Sequence, residues 1–260
     1  MVAKYVRLRS RKKAEIRREV DICRKVTGRS PYLMEFHDVF ERGKNLVIVT
    51  ELVPGGQLIE RILEDNDLTE GVVVRYLSHL LAALDTLHTM NIAHLHIKPE
   101  NLLISGVEEN PIIKLIDFGS AQELNGDVAM IASSSPEVIG QEGPQLVSDM
   151  WSVGVLTYVL LGGTSPFFSE NAVMVVDRIK EARYDFYGEQ FEQISTEAKE
   201  FISALLQKSP EYRMSASQAL QHDWITTLLR VSVQDSVSPW PMARIDTARL
   251  KAFNARRKWH

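Results

Sequence analysis

The sequence predicts an α+β fold of two unequal lobes, a small sheet-bearing lobe followed by a larger, mainly helical one. Three observations carry that expectation. Tyr32–Phe40 and Asn45–Glu51 alternate apolar and polar residues on either side of Arg42-Gly43-Lys44, the pattern of two antiparallel strands joined by a turn. Val53-Pro54-Gly55-Gly56 then breaks the pattern as a hinge would. Beyond it, apolar residues recur at helical spacing in one segment after another. The expected division is residues 1–53 for the first lobe, 54–230 for the second, and 231–260 for a linker and a basic tail.

Taken in order, Met1–Val6 reads as a short strand bearing Lys4, and Arg9–Lys13 as a basic connection. Ala14–Val26 has helical spacing: Ile16, Val20 and Cys23 repeat at four and three, and Glu19 lies on the same helix. After the hinge, Gln57–Asn66 places Leu58, Ile62 and Leu63 on one side. Thr69–Met90 does the same at greater length with Val73, Leu77, Leu80, Leu81, Leu84 and Leu87. Leu102–Ile104 and Ile112–Ile116 are short apolar runs, read as strands. Met150–Leu161 is an apolar helix ended by Gly162-Gly163 and then Pro166. Val173–Ile179, Ala198–Leu206 and Ser215–Leu220 give three more helices, and His222 with Trp224 closes the body.

Composition narrows the function classes. The 260 residues are 45% apolar and 25% charged, which suits a large domain with a real core. The single cysteine, Cys23, forms no internal disulfide and fits a reducing compartment. No apolar run reaches the length of a membrane span, and no signal peptide is evident, so the expected setting is cytoplasmic. The net charge of −4 hides an asymmetry. Residues 1–18 hold eight Lys or Arg and one Glu; residues 244–260 hold six Lys or Arg and one Asp. The intervening chain is acidic, and neither basic block carries a nucleic-acid motif, so no nucleic-acid partner is expected.

The stretch around which the chain is organised is His94-Leu95-His96-Ile97-Lys98-Pro99-Glu100-Asn101, followed by the strand Ile112–Ile116 and then Asp117-Phe118-Gly119. This order resembles the protein kinase family over residues 1–224. Within it the chain is similar to the titin, obscurin, striated-muscle and Trio-like kinases, with myosin light chain kinase nearby. The pointers are Ala3-Lys4-Tyr5-Val6, Thr50-Glu51-Leu52-Val53-Pro54-Gly55-Gly56, Asp149–Val155 and Ala255–Trp259. The resemblance implies a two-lobed kinase-like fold, serine/threonine phosphorylation with ATP and Mg2+, and a protein substrate or scaffold partner in a cytoskeletal or sarcomeric setting. It implies that Lys4 pairs with Glu19 beside the phosphates, and that Ala3, Glu51, Val53 and Leu103 meet the nucleotide, with Thr50 at the back of its pocket. Asn101 and Asp117 would hold the metal, and Lys98 would neutralise the transferred phosphoryl group. Asp149 would hold the backbone of the catalytic stretch, with His94 packed beneath it. Glu137 would pair with Arg213.

Three departures shape the functional expectation. His96 stands where kinases place the Asp that accepts the substrate's hydroxyl proton. Only three residues precede Lys4, so the Gly-rich loop that covers the phosphates is missing from this sequence, leaving an open sheet edge unless another element covers it. The stretch from Asp117 to Glu137 is short, with Ser133-Ser134-Ser135 before Pro136. The expected function is a catalytically impaired pseudokinase with weak ATP and Mg2+ binding; the alternative is an active serine/threonine kinase. A zinc site from His88, His94 and His96 is set aside, because no closed set of tetrahedral ligands is evident. The tail, Ile245–Trp259, reads as a basic amphipathic helix. Leu250 and Phe253 share one face, and Ile245, Ala252 and Trp259 a neighbouring stripe. Such a helix suits calmodulin's acidic groove and resembles the autoinhibitory tail of the light-chain-kinase group.

Overall fold

Val2–Arg7 forms β1, Phe36–Arg42 forms β2 and Asn45–Thr50 forms β3 of one antiparallel sheet, ordered β1-β3-β2. The computed structural model describes residues 1–7, 13–65, 67–105, 111–124, 135–234 and 244–257. The central strand is the apolar one: Val47 and Ile48 are buried, while β1 and β2 are mostly exposed. β1 pairs with β3 in the register Val2 to Thr50 and Lys4 to Ile48. β2 starts later than the alternation suggests. Tyr32–Met34 instead bonds the other lobe: Leu115 N donates to Tyr32 O at 2.8 Å, and Met34 N to Leu115 O at 3.1 Å. Period-two alternation identifies extended backbone but not its partner.

α1 (Lys13–Val26) buries Ile16, Val20 and Cys23 as their spacing predicts. In the second lobe, α2 (Leu58–Asp65) and α3 (Glu70–Thr89) lead into the two-residue strand β4 (Ile92–Ala93). β5 (Leu102–Ser105) and β6 (Ile112–Leu115) form a hairpin, and β7 (Gln122–Glu123) pairs with β4. The short α4 (Pro136–Ile139) precedes α5 (Leu146–Gly162), whose residues are buried on nearly all sides, as a helix apolar all round must be. Of the helices that follow, α6 (Ala172–Lys180) packs near α4, α7 (Thr196–Leu205) against α5, and α8 (Ala216–Leu220) and α9 (Asp223–Gln234) against α3, and α10 (Ala248–Arg257) is the tail helix. No helix among the described residues is long and apolar enough to cross a membrane.

Two joints position the site. The hinge lies on β5 through Gly55 N to Ile104 O and Ile104 N to Gly56 O, at 3.0 and 2.9 Å. A Cβ on Gly55 would sit 2.6 Å from the Ile104 carbonyl oxygen, so only glycine permits that approach. At the other joint the tail helix crosses the end of α5. Gly163 there has φ +66°, and a Cβ on it would meet the Cβ of Arg249 at 2.6 Å. Leu250 is 1% exposed and Phe253 is half-buried, so this face packs inward; Ala252, on the stripe predicted beside it, faces solvent. Thr247 and Asn254 complete the inner face, three residues before and four after Leu250. Lys258 and Trp259 lie outside the described residues, as do Ser133 and Ser134.

Candidate active site between the lobes

Lys4 projects from β1 and Glu19 from α1, and the two meet at 2.7 Å between Nζ and Oε1. The same ammonium lies 3.8 Å from Asp117 Oδ1. Burial alone would lower the lysine's pKa; the Glu19 and Asp117 carboxylates outweigh it and raise it, so the charge is retained. Asp117 follows β6 with φ 67°, a left-handed conformation that is uncommon for a residue with a side chain. Its Oδ2 lies 3.2 Å from His96 Nδ1, and its Oδ1 accepts from Gly119 N. The His96 contact is the main reason its carboxyl sits well below the usual carboxylate range; Lys4 and Gly119 add to it against the opposing effect of burial.

A cavity of about 390 Å3 opens beside this cluster, lined by Val2, Lys4, Glu19, Thr50, Glu51, Val53, Asn101, Leu103 and Asp117 among others. That is within the size range of small-ligand sites. Ala3, the expected neighbour of Lys4, is not on it. Alternate residues of a strand share a face, so Val2 lies on the same side as Lys4 and Ala3 on the other. At the hinge, the Glu51 amide is committed to the Glu35 carbonyl at 3.0 Å, and the Glu51 carbonyl, which accepts from Thr50 Oγ1 at 3.3 Å, has a second lone pair to serve as the edge group. Its side chain accepts from Lys114 Nζ and Glu35 N, both at 2.7 Å. The Lys114 partnership was not foreseen: a lysine inside an apolar strand gives no sign of which carboxylate it seeks.

The catalytic stretch is held from below. Asp149, fully buried, accepts from His94 N at 2.8 Å and Leu95 N at 2.7 Å, and its Oδ2 lies 3.0 Å from His88 Nε2. Leu95 has φ 60°, a strained conformation that those bonds fix. His94 is buried and neutral, its pKa lowered by burial. Its Nε2 donates to Ile116 O at 3.1 Å and its Nδ1 accepts from His96 N at 3.3 Å. Asn101 donates its amide N–H to His96 O at 2.9 Å, leaving the amide oxygen as the end able to ligate a cation. Asp117 and Asn101 thus offer hard oxygen donors suited to Mg2+ carried by nucleotide phosphates, and the cavity suits the nucleotide itself.

Lys98 is not among the residues that line the larger cavity. It lines a separate cavity of about 160 Å3 with Ile97, Trp151, Val155 and Phe253 of α10. Among the described residues no three His, Cys, Asp or Glu side chains converge into a self-sufficient metal site; His88 is engaged with Asp149. Cys23, behind Lys4, is buried with its thiol pushed up to about 12, mainly by burial, so it is no thiolate nucleophile. On the far side of α5, Arg213 clamps Glu137 through two bonds of 2.8 and 2.9 Å.

Comparison with known proteins gives the family and the fold. The protein kinase domain family matches residues 1–225. Smooth-muscle myosin light chain kinase of Gallus gallus is 36% identical over 257 residues, covering 96% of this chain and 13% of that protein. Among solved structures, the autoinhibited serine kinase domain of the giant muscle protein titin superposes with a TM-score of 0.85 at 32% identity, covering 97% of this chain and 77% of that one. A structure of titin kinase with its flanking domains gives 0.84 at 32% identity, covering 98% and 46%. The chain therefore belongs to the protein kinase family and is closely related to the titin kinase and myosin light chain kinase group.

Proposed function

We propose that this domain binds ATP with a divalent cation and has the layout of a serine/threonine protein kinase, with phosphoryl transfer to a protein hydroxyl held low at His96. The observation that carries the reading is Lys4 Nζ, 2.7 Å from Glu19 and 3.8 Å from Asp117. That places a fixed cation at the mouth of an apolar cavity and beside a metal-competent carboxylate, the arrangement that orients a phosphate chain. ATP supplies the group transferred. Val2 and Leu103 bound the cavity and the hinge carbonyl of Glu51 lies along it; Lys4 neutralises phosphate charge; Asp117 and Asn101 hold the cation. The second reading, a binding module that transfers no phosphate, is favoured by His96 itself. Its Nδ1 is engaged with Asp117, and an imidazole is a bulkier base than a carboxylate.

Calorimetry with ATP and Mg2+ tests the first part. The expected dissociation constant lies between about 10 µM and 1 mM, or roughly 4–7 kcal/mol. Lys4→Met should abolish the binding. Silence up to millimolar nucleotide in the unaltered chain would refute a retained site.

We further propose a muscle-type cytoskeletal setting, with a protein substrate or scaffold as partner and residues 245–259, which include α10, as a calmodulin-responsive regulatory segment. The support is α10 itself: Leu250 and Phe253 face inward, while Arg256 is on its exposed side. A peptide of residues 245–260 should bind calcium-loaded calmodulin and lose that binding when Phe253 and Trp259 become Ala. The intact chain should bind less tightly, because Leu250 is already buried and Phe253 half-buried against the body. An absence of calcium-dependent binding by the peptide would leave α10 as a prop against α5.

A further inference from the structure

We infer that His96 makes the cation site selective for a divalent transition ion over magnesium, by placing an imidazole nitrogen beside the Asp117 carboxylate. This rests on the nucleotide-binding reading above. His96 Nδ1 and Asp117 Oδ2 are 3.2 Å apart, and their side chains are 35% and 32% exposed, so an ion can reach both. Two atoms bound to one ion at about 2.0–2.1 Å are separated by about 2.9 Å across an octahedral edge and about 3.3 Å across a tetrahedral one. The observed spacing falls between them. The pair is therefore already at the bite of a chelate.

A hydrogen bond has the same spacing, and this makes the contact selective. While Nδ1 carries the imidazole proton, it donates to Oδ2. An ion entering between the two atoms displaces that proton to Nε2, and the Nδ1 lone pair becomes a ligand. Magnesium prefers oxygen donors and gains little from the nitrogen, so for magnesium the histidine is a competitor for Oδ2. Manganese and cobalt accept imidazole readily and recover through the nitrogen what the lost hydrogen bond contributed. One residue thus penalises one class of ion and favours the other.

The surrounding bonds hold His96 where this requires. Its backbone N donates to His94 Nδ1, and its carbonyl accepts from Asn101, which ties the third candidate ligand to the same residue. Leu95 and Asp117, with φ of 60° and 67°, fix the backbone on both sides of the pair. Among the described residues no third His, Cys, Asp or Glu joins His96 and Asp117 in a group that could hold an ion by itself. The ion accordingly arrives with the phosphates, and binding of metal and nucleotide is synergistic.

The test is calorimetric titration of ATP into the full chain with Mg2+, Mn2+ or Co2+ present, repeated with His96→Ala. Mn2+·ATP and Co2+·ATP should bind at least ~10-fold more tightly than Mg2+·ATP to the unaltered chain, and the ratio should fall to ~2-fold in the variant. Pulsed electron paramagnetic resonance on the Mn2+·ATP complex should show a directly bound nitrogen, assigned by labelling histidine with the heavy nitrogen isotope. That measurement decides the matter on the unaltered chain even if the variant does not fold. Equal ratios in both proteins, or no histidine nitrogen on the manganese, overturn this inference and leave nucleotide binding standing. Absence of binding with every ion overturns both.

Discussion

Replacing His96 with aspartate is expected to raise phosphoryl transfer to a serine-containing light-chain-like peptide by about 10²-fold, the lower end of what a positioned general base contributes. The Lys4–Glu19 pair and the Asp149 brace under the stretch do not depend on the side chain of residue 96. An aspartate removes the donor now bound to Asp117 Oδ2, freeing that oxygen for the cation, and presents a carboxylate to the incoming hydroxyl. The comparison that isolates the base is His96→Asn, which also removes the ring but supplies no carboxylate; it should gain little. Radiolabelled transfer under single-turnover conditions measures both. A fast unaltered chain, or equal gains for Asp and Asn, would remove His96 as the reason for low transfer.

Much of this site could be read before the fold was known, because its members sit in short sequence motifs with fixed spacing. Lys4, Glu19, Asn101 and Asp117 each fall in such a motif, and the structure gathers them around one cavity. Misplacements came where a reading depended on phase or on tertiary partners. Ala3 was out by one residue, which on a strand means the opposite face. The helix Asp223–Gln234 extends past Trp224, where the sequence reading ends the body, and Trp224, Ile225 and Leu228 have helical spacing and are all buried. The Lys114–Glu51 pair and the His88–Asp149 contact join residues 63 and 61 positions apart, and no local pattern announces such partners. Asn254 is buried on the inner face of α10, where an apolar residue would have been the simpler expectation.

The largest stability loss is expected from Arg213→Ala, at about 3–5 kcal/mol, because it strands a buried carboxylate. Arg213 has five N–H groups, and the structure accounts for all of them. Two go to Glu137, two to Gln207 O, and one to Val147 O. Ser148 Oγ adds a 2.6 Å bond to Glu137 Oε1, and the guanidinium lies over the Trp151 ring, 5.2 Å from its centroid. Burial by itself pushes the Glu137 carboxyl up; the bonds from Arg213 and Ser148 outweigh it and hold the carboxyl below its ordinary value. A depressed folded-state pKa contributes stability above the unfolded value and loses it as pH falls through the folded one. The unaltered chain should therefore lose this contribution on acidification. Without the arginine only burial and a serine remain, the folded-state pKa rises above the unfolded one, and the sign reverses. Arg213→Ala should gain stability, relative to its own value at neutral pH, as the carboxylate protonates. Urea unfolding at pH 7, pH 5 and pH 3 reads both effects: the variant's gain as its raised carboxyl protonates, and the unaltered chain's loss below the ordinary glutamate value. Glu137→Leu combined with Arg213→Met should be less damaging than Arg213→Ala alone, since it leaves no unpaired charge. If the double variant is the less stable, the loss comes from packing around Trp151 and not from the stranded carboxylate.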